Sequence, residues 1–319
     1  MQLHMNKYIY SFNYENTERD LCMLESVSIF GKEVRSKLLF SDREIEPSTS
    51  AFIKSRLAVI SFSTDYAELI TQIKKESIRI EGFKVEYLVF EGDETEYAAR
   101  LEKLRDIGYS IEGKHDYYNP TKRFGLCYFE GTWYFGELVK NNFDWHKHKQ
   151  KPHSFSNSIS VNIAKSLVNI AVMANKESTL LDACCGVGTI LLEACFAGFH
   201  IEGCDINQKT AQNAQDNLAH FHYTAKVYHS DIKDISQQYD AAIIDLPYNL
   251  FTSATDDDIR HIIESTAKIS DRLVIVSIDD IADLISDIGF GISNYCSVSK
   301  RGKTSFSRKI WVCERGGVL

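Results

Sequence analysis

Four hydrophobic runs in the second half of the chain each end in an aspartate. A run that reaches Asp182 is followed by a turn of small residues and then by a helical pattern, and a second helical pattern follows the run that ends at Asp205. Two further runs end at Asp231 and Asp245. Strands that alternate with helices predict an α/β fold with a parallel sheet. Such sheets bind ligands at the carboxyl ends of their strands, so we expect the four aspartates to gather there.

The turn after Asp182 contains Gly186 and Gly188, which let backbone N–H groups approach a ligand closely. The helix that begins behind them favours negative charge at its N-terminus. Phosphates, dinucleotides and S-adenosylmethionine all use such loops, so the glycines alone do not select a ligand. Asp205, about 20 residues further along, suits hydrogen bonds to ribose hydroxyls and favours a ligand that contains a nucleoside.

The fourth run continues into Asp245-Leu246-Pro247-Tyr248. This segment has no role in binding a dinucleotide, so it argues against a dinucleotide-binding domain. An exocyclic amine on a base is a poor nucleophile, because its lone pair is delocalised into the ring. The Asp245 carboxylate and the Leu246 carbonyl can accept its hydrogens, and Tyr248 can stack on the ring, as flipped bases are held by aromatic side chains. The sequence therefore indicates methylation of an amine. The alternative is a plain turn, since proline is a turn former.

These residues resemble the class I methyltransferases that use S-adenosyl-L-methionine as cofactor, specifically the amino-methylating enzymes with an Asp/Asn-Pro-Pro-Tyr/Phe motif. Leu246 replaces the first proline of that motif but keeps the backbone carbonyl. The resemblance implies that Asp245, Leu246, Pro247 and Tyr248 form the catalytic segment. It also implies a set of cofactor-binding residues, namely Ser158, Asp182, Cys184, Gly186, Gly188, Thr189, Asp205, Ile206, Asp231 and Ile232.

Within this set the resemblance assigns a part of the cofactor to each group of residues. Asp182 and the glycine turn would hold the methionine part, Asp205 the ribose, and Asp231 with Ile232 the adenine. Ser158 would begin a helical segment beside the methionyl end. No metal is expected, because the histidines at 146, 148 and 153 lack thiol partners at ligand spacing, and we interpret them as a solvated basic turn.

Residues 1 to 150 have a different pattern, in which strand-like runs and amphipathic helical runs predict an α+β domain without a catalytic constellation. Glu130-Gly131 separates two strand patterns and indicates a hairpin. The length of 319 residues suits two domains, and we divide the chain into 1–150 and 151–319. Eight cysteines without a C-x-x-C pair, no secretory segment and no apolar stretch long enough for a membrane predict a cytoplasmic protein.

The net charge of −8 does not indicate nucleic-acid binding by the chain as a whole. Two basic clusters nevertheless suit phosphate contact, one over residues 145–151 and the other formed by residues 300–303 together with Arg308 and Lys309. A run of charge is more often a solvated face.

The layout of the whole chain resembles the THUMP-containing tRNA guanosine-N2 methyltransferases. The resemblance rests on Tyr118-Asn119-Pro120, on Tyr134-Phe135-Gly136, on the segment 151–171 and on the motifs above. It implies a ferredoxin-like or THUMP-like α+β domain at 1–150 that docks tRNA or another structured RNA. A Rossmann-like catalytic domain with seven strands would follow at 151–319, and some relatives need a small activating protein subunit. The implied reaction is methyl transfer to the exocyclic N2 amine of a guanosine.

Two alternatives stay open at this point. Asp-x-Pro-Tyr also serves amino-methyltransferases that act on other RNA, on DNA adenine or cytosine, or on a protein amide. The second alternative is a non-catalytic subunit that binds S-adenosylmethionine or RNA.

Overall fold

The computed structural model describes residues 7–155, 158–247, 254–299 and 307–316. They divide into two compact units. The first unit contains the chain up to Asn13, Val34–Pro47 and Phe52–Asn142, and the second contains Tyr14–Glu33, Ser48–Ala51 and the chain from Phe143 onward. In this described part no helix combines the length and the apolar character that a membrane span requires.

The described residues form strands and helices in both units. In chain order they are β1 (Tyr8–Phe12), α1 (Arg19–Phe30), β2 (Leu38–Ser41), β3 (Ile53–Ser63), α2 (Tyr66–Lys75), β4 (Phe83–Leu88), α3 (Tyr97–Tyr109), β5 (Lys122–Phe129), β6 (Thr132–Lys140), α4 (Val161–Val172), β7 (Thr179–Asp182), α5 (Thr189–Ala197), β8 (His200–Asp205), α6 (Gln208–His220), β9 (Lys226–His229), β10 (Ala241–Asp245), α7 (Asp256–Ala267), β11 (Arg272–Ser277), α8 (Ala282–Asp287), β12 (Phe290–Ser299) and β13 (Ser307–Arg315).

The first unit is a sheet of six strands in the order β2-β1-β3-β6-β5-β4. Neighbouring strands are antiparallel, except that β4 and β5 are parallel. One face is covered by α2 and α3, whose Leu69, Ile73 and Ile107 pack with Phe124 and Phe135 of the sheet in a single core. Alternate residues of β5 and β6 supply this core because successive side chains of a strand point to opposite faces. The predicted α+β character is confirmed.

A tight turn joins β5 to β6, where Phe129 pairs with Thr132. Both turn residues have positive φ, 47° at Glu130 and 78° at Gly131. This is the backbone of a two-residue hairpin turn that matches the natural twist of the strands. The predicted hairpin is confirmed.

The second unit is a sheet of seven strands in the order β12-β13-β11-β10-β7-β8-β9. The five strands from β11 to β9 are parallel to their neighbours, whereas β13 runs antiparallel between β11 and β12. This confirms the predicted α/β fold class with its Rossmann-like sheet and final antiparallel hairpin. The chain passes outward from β7 through β8 to β9 and returns to β10 on the other side of β7. Ligands bind at such a reversal of strand order.

Helix α1 lies early in the chain but belongs to the second unit, where it contacts α4 and β12. Its Glu25 is buried, accepts hydrogen bonds from Asn169 Nδ2 at 2.5 Å and Ser50 Oγ at 3.0 Å, and has its pKa raised to about 7 by burial. Asn169 also donates to the Thr49 carbonyl at 2.9 Å. The division of the chain into 1–150 and 151–319, with RNA docking by the first part, stays a prediction. Along the sequence the two compact units alternate, because residues 14–33 and 48–51 belong to the second unit.

We expect Leu21→Ala to destabilise the second unit by about 2–5 kcal/mol, because the fully buried side chain leaves a cavity in the contact of α1. Hydrogen exchange should speed up in α4 and β12 and stay unchanged in β5 and β6. Leu69→Ala in α2 should do the reverse, and Leu101→Ala, at a side chain that is 45% exposed, should change stability by less than about 0.5 kcal/mol. Faster exchange in β5 and β6 of the Leu21 variant would contradict the assignment of α1.

Candidate active site at the edge of the second sheet

A pocket of about 220 Å³ lies at the carboxyl edge of the second sheet. The ends of β7, β8 and β10, the first turn of α5 and the segment before α4 form its wall. Residues that are far apart in the sequence therefore meet there. The predicted site residues that line it are Ser158, Cys184, Gly186, Thr189, Asp205, Asp245, Leu246 and Pro247.

The turn between β7 and α5 forms one side of the pocket. Gly186 and Gly188 both have positive φ, 53° and 79°, which non-glycine residues rarely adopt. Gly188 is the N-cap of α5, and a Cβ added there would lie 3.1 Å from the Cβ of Ala214. Nothing lies within 4 Å of a Cβ built on Gly186, so the backbone faces open space where a ligand can approach it.

Asp205 at the end of β8 stabilises this turn by hydrogen bonding. Its Oδ2 accepts from the backbone N–H of Gly186 at 3.0 Å, and its Oδ1 accepts from the N–H of Asn207 at 2.8 Å. Burial raises the pKa of Asp205 in spite of these two hydrogen bonds, which lower it. The carboxylate thus holds the loop in position and still contributes to the pocket wall.

Asp182 ends β7, two residues before the pocket-lining Cys184, and is completely buried. Neither carboxylate oxygen has a hydrogen-bond partner of good geometry among the described residues, although the N–H of Cys184 has a small lowering effect on the pKa. Burial raises the pKa of Asp182 well above its usual value, and the neighbouring Asp245 and Asp205 raise it further. An unpaired buried carboxyl is costly and calls for a cationic or hydrogen-bond-donating partner.

Asp245 ends β10 and lines the pocket beside Leu246 and Pro247. Its Oδ1 is buried and has no hydrogen-bond partner among the described residues. Burial raises the pKa of Asp245 to about 7, and the positive charge of Arg308 opposes the rise. The Leu246 side chain is buried, and its N–H donates to the Val276 carbonyl at 3.1 Å, which anchors the segment to β11. Tyr248, the predicted stacking residue, lies outside the described residues.

Four other predicted contact residues do not line the pocket. Gly188 caps α5, and Ile206 follows Asp205 with 72% of its surface exposed. Asp231 begins a short 3-10 helix, where its Oδ1 accepts from the Lys233 N–H at 3.1 Å and lies 3.2 Å from His261 Nε2. The Ile232 side chain packs in a core cluster. Their contacts with a cofactor stay predictions.

Sequence reasoning missed other pocket residues, namely Phe155, Ile159, Cys185, Val187, Ile190 and Thr210. Cys185 and Val187 alternate with the glycines, and this position in the loop was the only feature of the sequence that could have predicted their contact with the pocket. Phe155 carries no such signal, because its 49% exposed ring reaches the pocket only through the course of the segment before α4.

Asn217 of α6 is a second omission and is fully buried. Its Nδ2 donates to the carbonyls of His153 at 2.9 Å and Val187 at 2.8 Å, while its Oδ1 accepts from the His153 N–H at 2.9 Å. The Asn217 side chain therefore links the segment before α4 to the glycine turn, and both of these segments contribute residues to the pocket wall.

The interpretation of the histidines at 146, 148 and 153 as a solvated basic turn is wrong for His148, whereas His146 is exposed. The segment around His148 is a 3-10 helix, Asp144–Gln150, in which Trp145 and His148 are buried. His148 Nδ1 lies 2.6 Å from Glu193 Oε1, and Lys165 Nζ donates to Glu193 Oε2 at 3.2 Å. The carboxylate of Glu193, 45 residues further along the chain, provides the partner that allows these groups to be buried. Among the described residues no group of His, Cys, Asp or Glu side chains is arranged to hold a metal ion.

Residues 149–260 match the family model of RMKL-like methyltransferase domains. This segment is a methyltransferase domain. The match covers the segment before α4, the glycine turn and the four aspartates. The predicted enzyme class and its cofactor, S-adenosylmethionine, are confirmed at the level of this domain.

The chain is also similar to curated proteins named tRNA (guanine(10)-N2)-dimethyltransferase. It is 28% identical to the one from Methanothermobacter thermautotrophicus over 123 residues, which is 38% of this chain and 36% of that protein. It is 28% identical to the one from Pyrococcus abyssi over 190 residues, which is 56% of each. The chain therefore spans between about one third and just over one half of these relatives. The crystal structure of TrmN from Thermus thermophilus superposes with a TM-score of 0.48 at 13% identity and covers 97% of this chain and 99% of that one.

The residues of the pocket fit S-adenosylmethionine. The cofactor carries a sulfonium and an ammonium cation. The pocket provides Asp205 and Asp245 at its wall, and the buried Asp182 carboxyl, which has no hydrogen-bond partner among the described residues, interacts electrostatically with both. The open space beside Gly186 leaves room for close approach. Burial raises the pKa of all three carboxyl groups, and the charges of Asp245 and Asp205 raise that of Asp182 further, so bound cations would favour their ionised forms.

Proposed function

We propose that the protein transfers a methyl group from S-adenosylmethionine to the exocyclic N2 amine of a guanosine in tRNA. One observation carries the proposal, namely that Oδ1 of Asp245 is buried at the wall of the pocket, next to Leu246 and Pro247, and has no hydrogen-bond partner in the described part of the chain. A buried carboxylate oxygen is a strong hydrogen-bond acceptor, and an exocyclic amine offers two N–H groups. The names of the similar tRNA enzymes support guanosine N2 as the acceptor.

When bound, the cofactor supplies an electrophilic methyl group on its sulfonium. In the proposed mechanism the backbone around Gly186 and the carboxylate of Asp205 hold its methionine and ribose parts. Asp245 Oδ1 and the Leu246 carbonyl accept the two amine hydrogens and favour a pyramidal nitrogen. The amine nitrogen would take the methyl group from the sulfonium, which would leave as the neutral thioether, and the Asp245 carboxylate would take the amine proton. Acceleration comes from positioning and from an acceptor prepared in a dry site.

The partner would be tRNA, docked by residues 1–150 as the sequence resemblance implies, and a small activating protein subunit belongs to the same proposal. We also propose a cytoplasmic location. The eight cysteines are all free, and burial raises the pKa of the Cys127, Cys204 and Cys313 thiols, so they stay reduced and unreactive.

The test is transfer of tritium from labelled S-adenosylmethionine into bulk tRNA, ribosomal RNA and DNA, followed by digestion to nucleosides. We expect label in N2-methylated guanosine from tRNA and in neither of the other substrates. The Asp245→Asn protein is the matched control and should label tRNA about 10²–10³-fold more slowly. Label in adenosine, cytidine or DNA would overturn the proposed substrate, and binding of S-adenosylmethionine without any transfer would favour a non-catalytic role.

A further inference from the structure

Arg308 is a buried arginine at the edge of the second sheet that carries the pocket. The sequence placed it in a basic surface cluster, but only 3% of the residue is exposed. It is the second residue of β13, which runs antiparallel to β11 and so begins at the carboxyl edge of the parallel strands. A guanidinium is almost never buried without a partner of opposite charge or several acceptors.

The strand register places Arg308 on the same face of the sheet as Asp245. Asp245 pairs with Val276 of β11, and Val276 pairs with Ile310 of β13, so these three residues form one row across the sheet. Directly paired residues share a face, and residues two apart on one strand share it as well. Arg308 is two residues before Ile310, which puts its side chain on the face of Asp245 and one step closer to the edge with the pocket.

The other charged groups on the elements packed around Asp245 are either acidic or are cations that already form ion pairs with other residues. Asp182 and Cys184, from β7 and the turn after it, add negative charge or none. On α4, which covers β10 and β11, Lys165 is paired with Glu193. On β11, Arg272 is paired with Glu314. Among the described residues, Arg308 provides the positive charge that acts on the Asp245 carboxyl and opposes the effect of burial on its pKa.

We propose that Arg308 is a positioning residue for methyl transfer, because its guanidinium keeps the Asp245 carboxylate ionised and ready to accept the amine hydrogens. This inference rests on the proposed function of Asp245. Arg308 acts through Asp245 and does not line the pocket itself. The neighbouring Lys309 provides the contrast, because it lies on the opposite face and is paired with Asp280 at 3.0 Å.

The experiment compares Arg308→Gln, Arg308→Lys and Lys309→Gln in kcat as a function of pH. Removal of a nearby cation should raise the pKa of Asp245 by about one unit, from about 7. The ionised fraction at pH 7 then falls from about one half to about one tenth, so kcat of Arg308→Gln should fall about fivefold at pH 7 and less than about twofold at pH 9. KM for S-adenosylmethionine should stay within about twofold. Arg308→Lys should restore most of the profile, and Lys309→Gln should match the parent protein.

Two results would overturn the inference. One is a loss of kcat in Arg308→Gln that is the same at every pH, which a merely structural role would give. The other is a raised KM for tRNA with an unchanged pH profile, which would mean that Arg308 contacts the RNA. Failure of the proposed function itself is distinct, because the parent protein would then transfer no methyl group.

A second measurement, the melting temperature of the cofactor-free protein, tests the inference even if Arg308→Gln loses activity because it unfolds. The melting temperature of the cofactor-free protein should fall more at pH 8 than at pH 5 in Arg308→Gln, because an ionised and uncompensated Asp245 destabilises only the folded state. In the Asp245→Asn background the same substitution should lack this pH dependence. A drop of equal size in both backgrounds would contradict the coupling of the two residues.

Discussion

Asp245→Asn should lower kcat by about 10²–10³-fold, the range measured when one prepared hydrogen-bonding group is removed from an active site. The asparagine side chain has nearly the same shape, but it places an amide where a carboxylate would accept the amine hydrogens. The dissociation constant for S-adenosylmethionine should stay within about twofold, as calorimetry can measure. Asp205→Asn is the contrast, because it weakens the hold on the Gly186 N–H and should raise KM for the cofactor more than it lowers kcat.

The same variant should be more stable than the parent protein in the absence of cofactor. Burial raises the pKa of Asp245 to about 7 in the folded state, whereas an unfolded aspartate titrates near its usual 3.8. The folded state therefore binds more protons between these values, and stability from this group is lost as the pH rises toward 7. The gain in melting temperature of Asp245→Asn should be larger at pH 8 than at pH 5. An equal gain at both pH values, or normal turnover, would contradict the role given to this carboxylate.

Lys165→Met should destabilise the second unit by about 3–5 kcal/mol, measured by urea unfolding. Lys165 and Glu193 are buried together, with 1% and 0% of their side chains exposed. The ammonium also lies 4.4 Å from the centre of the Phe196 ring and 5.3 Å from that of Trp145. Methionine fills a similar volume, so the cost arises from the Glu193 charge that is left without its cation.

A double variant separates this cause from lost packing. Lys165→Met combined with Glu193→Gln removes both charges of the Lys165–Glu193 ion pair, and the glutamine can still hydrogen-bond His148. We expect it to regain most of the lost stability, since replacing both members of a buried ion pair by neutral groups is often close to neutral. If the double variant is as unstable as the single one, packing around the lysine stem and not charge accounts for the effect.

The part of the fold that follows from local patterns was predictable from the sequence. The strands that end at Asp182, Asp205 and Asp245 and the glycine turn before α5 appear where the hydrophobic runs and small residues place them. The turn at Glu130-Gly131 followed in the same way, because a two-residue loop between alternating strands leaves few other conformations.

The remaining features depend on contacts between distant parts of the chain. His148 could be recognised as buried only with knowledge of Glu193, and Arg308 only with the row that joins β10, β11 and β13. Asn217 closes the wall of the pocket through backbone atoms of two other segments, for which no residue pattern exists. Helix α1 has an apolar face, but nothing in its own sequence says which of the two units will cover it.

The place of α1 in the second unit has a consequence for synthesis on the ribosome. Residues 19–30 are made before nearly all of the first unit, but the α4 surface that buries them is complete only after Val172. At about 5–20 residues per second, the apolar face of α1 waits for roughly 10–30 s, while the chain from Phe52 to Asn142 emerges and can form its own sheet. The hydrophobic face of α1 therefore stays exposed on the growing chain while the sheet of the first unit can already form. We expect chaperones to bind α1 during this interval.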